Sequence, residues 1–280
     1  MADQMAGEKG GATTGAKKGQ AQVVVVTSGK GGVGKTTTTA TLGAALALRG
    51  KRTLVIDADI GLRNLDVILG LENRIVFNLV DVAREACKPN QATIKSKKSN
   101  NLYLLPASQT DDKDVIGEED MRKVISFFKR EFHFILIDSP AGIEQGFRNA
   151  CAAADRAVVV TTPEVSAIRD ADRVIGLLHS KEVEPLLLIN RLDPELVRKG
   201  DMISITDVQD ILGVELLGVV ERDDSVIVAA NNGEPVVYNQ KSKAGQSFDR
   251  IAGRLSGENI PLEHLASRSI WQKLARRLGV

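Results

Sequence analysis

Apolar residues in this chain fall in short continuous runs separated by longer amphipathic stretches. Within the runs nearly every position is apolar, which is typical of parallel strands covered on both faces. The pattern predicts seven such strands and admits a short eighth, an antiparallel edge strand, at Val236–Tyr238. The seven are Val23–Thr27, Thr53–Asp57, Leu102–Pro106, Phe134–Asp138, Ala157–Thr161, Leu186–Asn190 and Glu215–Val220.

Helical patterns occupy the stretches between the predicted strands. This alternation favours an α/β fold with a doubly wound, mostly parallel sheet. Functional sites in such sheets lie at the carboxyl ends of the strands. The predicted helices are Lys35–Arg49, Glu118–Arg130, Glu144–Ala153, Ala167–His179, Ile205–Leu212, Ser225–Asn231 and Ala244–Leu255.

Changes in composition divide the chain into four segments. Residues 1–20 are rich in Gly, Ala, Lys and Thr and predict a disordered tail. Residues 21–256 form one predicted domain, residues 257–267 a linker, and residues 268–280 an amphipathic helix. No apolar run approaches the ~18 residues that a membrane span needs.

Charge and cysteine content narrow the functional classes. The formal net charge is +1, from 37 basic and 36 acidic residues, so bulk charge favours no nucleic-acid partner. Cys87 and Cys151 form no CxxC pair and are too few for a disulfide scaffold. A cytoplasmic protein without a metal–thiolate cluster is the expectation.

A glycine-rich loop joins the first predicted strand to the first predicted helix. Strand, glycine loop and helix predict a P-loop, whose backbone N–H groups and helix dipole cradle a polyphosphate. We expect Lys35 to reach the β and γ phosphates and the Thr36 hydroxyl to bind Mg²⁺. The loop reads Gly29, Lys30, Gly31, Gly32, Val33, Gly34, Lys35, Thr36.

Acidic residues follow two of the buried strands. Asp138 is expected to hold a Mg²⁺-bound water, and Asp59 to position the attacking water, with a water-mediated metal contact as a second possibility. Gly142 is expected to present its N–H to the γ phosphate. For Asp57, capping of the next helix is a fair competitor to a role in the metal and phosphate site.

The early lysine of the loop, Lys30, is not required by the general P-loop pattern. The form Lys-Gly-Gly-x-Gly-Lys-Thr resembles the deviant Walker A motif of the MinD/ParA family of ATPases, and the similarity to its MinD branch extends over residues 22–256. The other segments that carry it are Asp57–Asp66, residues 106–110, Asp138–Gly142, residues 163–166 and residues 200–202.

The resemblance implies an ATPase that uses ATP and Mg²⁺, forms a homodimer around two ATP molecules and helps to place the cell-division site. In that family the lysine matching Lys30 reaches the partner's nucleotide, and an Asn-Arg pair, here Asn190-Arg191, helps to hold adenine. Glu221-Arg222-Asp223 departs from the Pro-Glu-Asp of the family, which leaves that base contact open. The expected ATP-binding residues are Gly29, Lys30, Gly31, Gly32, Val33, Gly34, Lys35, Thr36, Thr37, Asn190 and Arg191.

The C-terminal segment has the pattern of an interfacial membrane helix. At 100° per residue its apolar side chains fill an arc of roughly 140°, and basic residues lie opposite. Basic residues near an anionic lipid surface contribute about 1 kcal/mol each. A helix docked on the parent domain is the alternative, which the resemblance to membrane-targeting tails makes weaker. The expected membrane residues are Ile270, Trp271, Lys273, Leu274, Arg276, Arg277 and Leu278.

A helix this short should bind membrane weakly as one copy and tightly as two. The expectation is therefore a cytoplasmic protein, peripheral on the inner face of the membrane, that attaches as an ATP-bound dimer. The resemblance implies a MinC-like division inhibitor and a MinE-like or other topological regulator as partners.

Three other readings remain open. A ParA-like DNA- or cargo-positioning ATPase would share the loop but needs a basic surface, and the Trp-containing tail is better explained by lipid. An iron–sulfur protein would place thiolates where Cys87 and Cys151 do not lie. A flagellar-number ATPase would carry an N-terminal activator motif, of which Asp3-Gln4-Met5-Ala6 is a faint echo.

Overall fold

The structure, a computed structural model, describes residues 19–262. The predicted amphipathic helix 268–280 and most of the predicted N-terminal tail lie outside the described residues. Within residues 19–262, none of the helices combines the length and the apolar character that crossing a bilayer requires.

Eight strands in the described part of the chain form one sheet, in the order β3-β4-β2-β5-β1-β6-β7-β8. All neighbouring pairs are parallel except β3 with β4. The predicted α/β fold with a mostly parallel sheet is therefore confirmed. The strands are β1 Gln22–Thr27, β2 Thr53–Asp57, β3 Ile94–Lys95, β4 Leu102–Leu105, β5 Phe134–Asp138, β6 Arg156–Thr161, β7 Glu184–Leu192 and β8 Glu215–Glu221.

Helices cover both faces of this sheet. The seven predicted helices are all present, with ends that differ from the prediction by at most two residues. Four short helices were not predicted: α2, α3, α4 and α8. The full set is α1 Lys35–Leu48, α2 Leu65–Ile68, α3 Leu79–Ala83, α4 Pro89–Ala92, α5 Glu118–Phe128, α6 Gln145–Cys151, α7 Val165–Ser180, α8 Pro194–Lys199, α9 Ile205–Leu212, α10 Ser225–Asn231 and α11 Lys243–Leu255.

The prediction of an edge strand at Val236–Tyr238 is wrong. These three residues form a 3₁₀ turn after Pro235, and Val236 and Val237 are buried in the apolar layer under α11. Their apolar character reflects packing against helices and not pairing in the sheet. The antiparallel edge strand is Ile94–Lys95 instead, which pairs with β4.

Two apolar layers sandwich the sheet. Alternate residues of one strand face opposite sides, so Val23 and Val25 enter one layer and Val24 and Val26 the other. The first layer is completed by α5, α7 and α9, and the second by α1 and α11. Because both faces are covered, the central strands are apolar throughout, and polar groups are left to the strand ends.

Candidate active site

The phosphate loop leaves the carboxyl end of β1 and enters α1. Gly34 has φ +100°, a left-handed conformation that an L side chain adopts only with strain. The Asn190 side chain, at the end of β7, donates from Nδ2 to the Val33 carbonyl at 2.8 Å. A Cβ at Gly34 would lie 2.5 Å from that nitrogen, so a side chain at this position would push the Asn190 amide away from the loop carbonyl that it holds.

Thr36 and Asp138 come together at the base of this loop. Asp138 ends β5 and is buried, and its Oδ1 accepts a hydrogen bond from Thr39 Oγ1 at 3.0 Å. Burial raises the pKa of Asp138, the charge of Asp57 raises it further, and the Thr36 hydroxyl and Lys35 oppose the rise. A hydroxyl and a carboxyl at this position are the protein ligands that a Mg²⁺–nucleotide site needs.

Asp57, at the end of β2, acts as a local cap. Its carboxylate accepts backbone N–H groups from Asp59 at 3.0 Å, from Asn64 at 3.2 Å and from Leu65 at 3.1 Å. Burial raises its pKa, while these hydrogen bonds oppose the rise. The capping alternative for Asp57 is thus what the structure shows, since all three donors belong to the following loop and the start of α2.

Asp59 lies on the loop after β2 and is half-buried. Burial raises its pKa, and the charges of Lys113 and Lys35 oppose the rise. The charge of Lys35, in the phosphate loop, therefore favours the ionised form of the Asp59 carboxylate. Lys113, on the loop after β4, was not predicted, because nothing in the sequence indicates that this loop approaches β2.

The Lys30 ammonium is paired within the chain. Its Nζ lies 3.2 Å from Glu164 Oε2 and 3.1 Å from Ser166 Oγ, next to the start of α7. The lysine and the glutamate side chains are 41% and 58% exposed, so the pair is at the surface and contributes little to the free energy of unfolding.

Gly142, expected to contact the γ phosphate, donates its N–H to the Ser28 carbonyl at 3.0 Å in this structure.

A cavity of about 570 Å³ opens at the carboxyl ends of β7 and β8. Arg191, exposed and with φ +57°, precedes this cavity in sequence, but neither it nor Asn190 contributes to the lining. Arg222, at the middle position of the Glu221-Arg222-Asp223 departure from the family's Pro-Glu-Asp, lines the cavity, and its backbone N–H donates to the Leu192 carbonyl at 2.9 Å. The lining is Leu192, Asp193, Pro194, Glu195, Arg198, Glu221, Arg222, Asp224 and Lys243.

The structure therefore brings the phosphate loop, Asp59 and Asp138 together at the carboxyl ends of the central strands, and places Asn190 against the loop. Thr39, which contacts Asp138, was missed, although it lies one turn after Thr36 on the same helix. Within residues 19–262, His, Cys, Asp and Glu form no cluster of three that could hold a metal ion. Mg²⁺ needs no such cluster, because it is usually held by one or two protein oxygens together with phosphate oxygens of the substrate. The Asp138 carboxyl and the Thr36 hydroxyl fit that ligand set.

Comparison with known proteins gives one family. Residues 24–236 match the CobQ/CobB/MinD/ParA nucleotide binding domain. The septum site-determining protein MinD of Bacillus subtilis is 50% identical over 251 residues, which cover 89% of this chain and 94% of that protein. Its counterpart in Synechocystis is 51% identical over 261 residues and covers 92% of this chain and 98% of that protein.

Solved structures give the same result. The MinC:MinD cell division protein complex of Aquifex aeolicus contains a chain that is 48% identical, with a TM-score of 0.82, covering 86% of this chain and 98% of that one. The septum site-determining protein MinD of Pyrococcus horikoshii, complexed with Mg-ADP, is 31% identical with a TM-score of 0.77 and covers 84% and 96%.

Proposed function

Because the chain belongs to the MinD family of septum site-determining ATPases, we propose that it is a nucleotide-dependent membrane switch that helps to place the division site. ATP hydrolysis with Mg²⁺ is the activity of this family. One observation supports this activity for these residues. The Thr36 hydroxyl contacts Asp138, which also accepts a hydrogen bond from Thr39, at the base of a glycine loop whose Val33 carbonyl is held by Asn190.

The chain's own groups divide the work of hydrolysis. Loop N–H groups and the Lys35 ammonium bind the β and γ phosphates, and Thr36 and Asp138 hold Mg²⁺, the latter through water. Mg²⁺, when bound, neutralises phosphate charge. Asp59, whose raised pKa is partly offset by the charge of Lys35, orients the attacking water. The loop's hydrogen bonds pre-position these donors before nucleotide arrives, which lowers the cost of reorganisation.

Lys30 supplies the second half of the site in a dimer. The surface ion pair between Lys30 and Glu164 is weak, so the Lys30 ammonium can leave Glu164 for a nucleotide phosphate. The phosphate group carries more negative charge than the Glu164 carboxylate and is the stronger partner. In the dimer, Lys30 of each subunit contacts the nucleotide of the other. ATP then favours association, because the γ phosphate offers the lysine a partner that ADP lacks.

The C-terminal segment converts dimerisation into membrane attachment. Its apolar face, with Ile270, Trp271, Leu274 and Leu278, enters the interface, while Lys273, Arg276 and Arg277 meet anionic headgroups. Two copies on one dimer bind more tightly than one by as much as ~10²–10⁴. The protein is cytoplasmic when monomeric and peripheral on the inner membrane face when dimeric.

A MinC-like inhibitor and a MinE-like or other topological regulator are the proposed partners. The Aquifex structure holds a MinD chain that is 48% identical to this one in a complex with MinC. By this similarity, recruitment of an inhibitor to the membrane is the output of the switch, and stimulated hydrolysis by a regulator resets it.

Vesicle sedimentation tests the switch. The full chain and a version ending at Leu265 are mixed with anionic phospholipid vesicles in ATP, in ADP or without nucleotide. We expect the full chain to pellet in ATP at least about 10-fold more than in ADP, and the shortened chain to stay in solution in all three.

A Lys273→Glu, Arg276→Glu variant of the full chain is the matched control, since it keeps the apolar face and reverses the basic one. It should lose pelleting on anionic vesicles while keeping ATP hydrolysis. Pelleting that is equal in ATP and ADP would remove the switch from this proposal but leave the ATPase intact.

A further inference from the structure

A cluster of three side chains outside the phosphate loop fixes the segment that carries Asp59. The segment 59–66 runs from the end of β2 to the first turn of α2. At its centre Arg63 has φ +34°, in the left-handed region that arginine seldom adopts. A non-glycine residue keeps such a conformation only where the surroundings enforce it.

The first enforcing contact is an ion pair with Asp66. Arg63 Nε lies 2.9 Å from Asp66 Oδ2, and the two side chains are 17% and 0% exposed. Among the described residues, neither carboxylate oxygen of Asp66 has a hydrogen-bond partner of normal geometry. Burial raises the pKa of Asp66, and the charge of Arg63 is the largest of the effects that oppose the rise.

The second contact crosses to another loop. With the Gln109 amide oriented so that its oxygen faces donors, that oxygen accepts from Arg63 Nε and Nη2, both at 3.2 Å. One residue earlier, the Ser108 carbonyl accepts the Gly61 N–H at 2.8 Å. The loop after β4 thus holds the segment 59–66 at two points, one on the backbone and one through Arg63.

A third restraint acts at the two ends of the segment. The Asp57 carboxylate binds the N–H groups of Asp59, Asn64 and Leu65, which closes the loop on itself. The Asp59 carbonyl accepts the Arg63 N–H at 3.3 Å. A shift of Arg63 is therefore transmitted to the backbone of Asp59 over one short turn.

We propose that Arg63, clamped between buried Asp66 and Gln109, is a positioning residue that sets the location of the Asp59 carboxylate. This rests on the proposed role of Asp59 in orienting water. The planar guanidinium suits the task, because its fork of donors serves an acid on its own segment and an amide on the neighbouring loop. Lysine has the charge but not the fork.

The Arg63→Gly variant distinguishes an arginine that positions Asp59 from one that is passive in the loop. Glycine relieves the left-handed strain, so a passive arginine would make this variant more stable and equally active. We expect instead a fall in kcat of ~10–100-fold with an ATP KM within about threefold of the parent, since the phosphate loop is untouched. Arg63→Lys should recover part of kcat.

Glu182→Gly is the control for backbone strain, because Glu182 has φ +58° after α7, outside the site. It should keep the parent kcat. A second readout needs no catalysis: hydrogen exchange of the nucleotide-free full chain. In Arg63→Gly, the Asn64 and Leu65 amides should exchange at least about 10-fold faster, while Val24 and Val25 in β1 stay unchanged.

Unchanged exchange at Asn64 and Leu65 together with parental kcat in Arg63→Gly would overturn the proposal. Equal loss of kcat and stability without recovery by lysine would also overturn it, as the mark of a merely structural residue. Asp59→Ala separates the two ideas: if it keeps kcat while Arg63→Gly speeds exchange, the clamp stands and the role of Asp59 fails.

Discussion

Two regions of the proposed nucleotide site are built in opposite ways. The region proposed to bind the phosphates, called here the phosphate half, lies at the ends of β1, β2 and β5 and consists of Lys35, Thr36, Asp57, Asp59 and Asp138. The region that we propose receives the base, called here the base half, is the cavity at the ends of β7 and β8, lined by residues such as Glu195, Arg198, Arg222 and Lys243. In the first half the two strand-end acids Asp57 and Asp138 are buried, whereas those four lining residues are exposed or half-buried.

Burial decides how much each half can vary. A buried polar group must be matched by a partner, and its loss leaves that partner uncompensated. Asp138 with Thr39, and Asp57 with three N–H groups, are such matched sets. An exposed side chain keeps water as an alternative partner. We therefore expect large effects of substitution in the phosphate half and small ones in the base half.

The largest contrast should come from one lysine in each half. Lys35→Ala removes the cation proposed to bind the β and γ phosphates, so kcat should fall by ~10²–10³. Lys243→Ala, at an exposed residue of the cavity lining, should change kcat and KM by less than about threefold. Steady-state hydrolysis by the two variants measures this, and equal losses would break the comparison.

A glycine in the phosphate loop should show the next largest effect. Gly34→Ala must adopt φ +100° and place its Cβ 2.5 Å from Asn190 Nδ2. Gly213→Ala adopts φ +63° with no atom within 4 Å of its Cβ, so it carries strain without collision. We expect Gly213→Ala to cost about 1–2 kcal/mol in denaturant unfolding, and Gly34→Ala to cost more. Equal costs would show that the Asn190 contact does not restrain the loop.

The buried acids should make the nucleotide-free protein less stable as pH rises. Burial raises the pKa of Asp138 and Asp57 above the ordinary carboxyl range near 4, so the folded chain holds protons that the unfolded chain has released. Between about pH 4 and neutrality, this pair lowers the free energy of unfolding as pH rises.

Asp138→Asn should slow hydrolysis, because Asp138 is proposed to hold Mg²⁺ through water. The same change should stabilise the nucleotide-free chain at pH 7 by about 1 kcal/mol and flatten its pH dependence. Urea unfolding at pH 5 and pH 7 measures both. Asp155→Asn is the control. Asp155 lies at the amino end of the strands, opposite the proposed site, and its carboxylate accepts the Val23 N–H. A loss of stability in Asp138→Asn would contradict this account.

A small effect, confined to KM, is expected at Arg222. Its side chain is exposed at the cavity, and contact of a guanidinium with a base is worth about 0.5–1 kcal/mol at an exposed site. Arg222→Ala should raise the KM for ATP by two- to fivefold and leave kcat unchanged. A larger change would show that the base half is as restrained as the phosphate half.

The same contrast explains what could be predicted from the sequence. The seven parallel strands were found because two covered faces force a continuous apolar run. The turn at Val236–Tyr238 has the same apolar signature, and three residues give no periodicity to separate the cases. The true edge strand, Ile94–Lys95, is two residues long and carries no pattern at all. Short helices such as α2 were missed for the same reason.

In the site, the phosphate loop and Asp138 could be predicted because each follows a strand whose end is fixed by the sheet. Thr39 and Lys113 could not, since their positions depend on how a helix and a separate loop turn towards those strand ends. The pairing of Lys30 with Glu164 joins residues 134 positions apart in sequence. Such contacts follow from the complete fold and not from local pattern.

The central claim, that Lys30 completes the active site of a second subunit, can be tested by mixing two inactive chains. Lys30→Ala lacks the donated lysine and Asp59→Ala lacks the water-orienting acid, so each should hydrolyse ATP at a small fraction of the parent rate. In a mixed dimer, the nucleotide on the Lys30→Ala subunit has its own Asp59 and the partner's Lys30. An equal mixture should recover about a quarter of the parent activity, because half of the dimers are mixed and each has one complete site. A mixture no more active than the sum of its parts would contradict the two-subunit site.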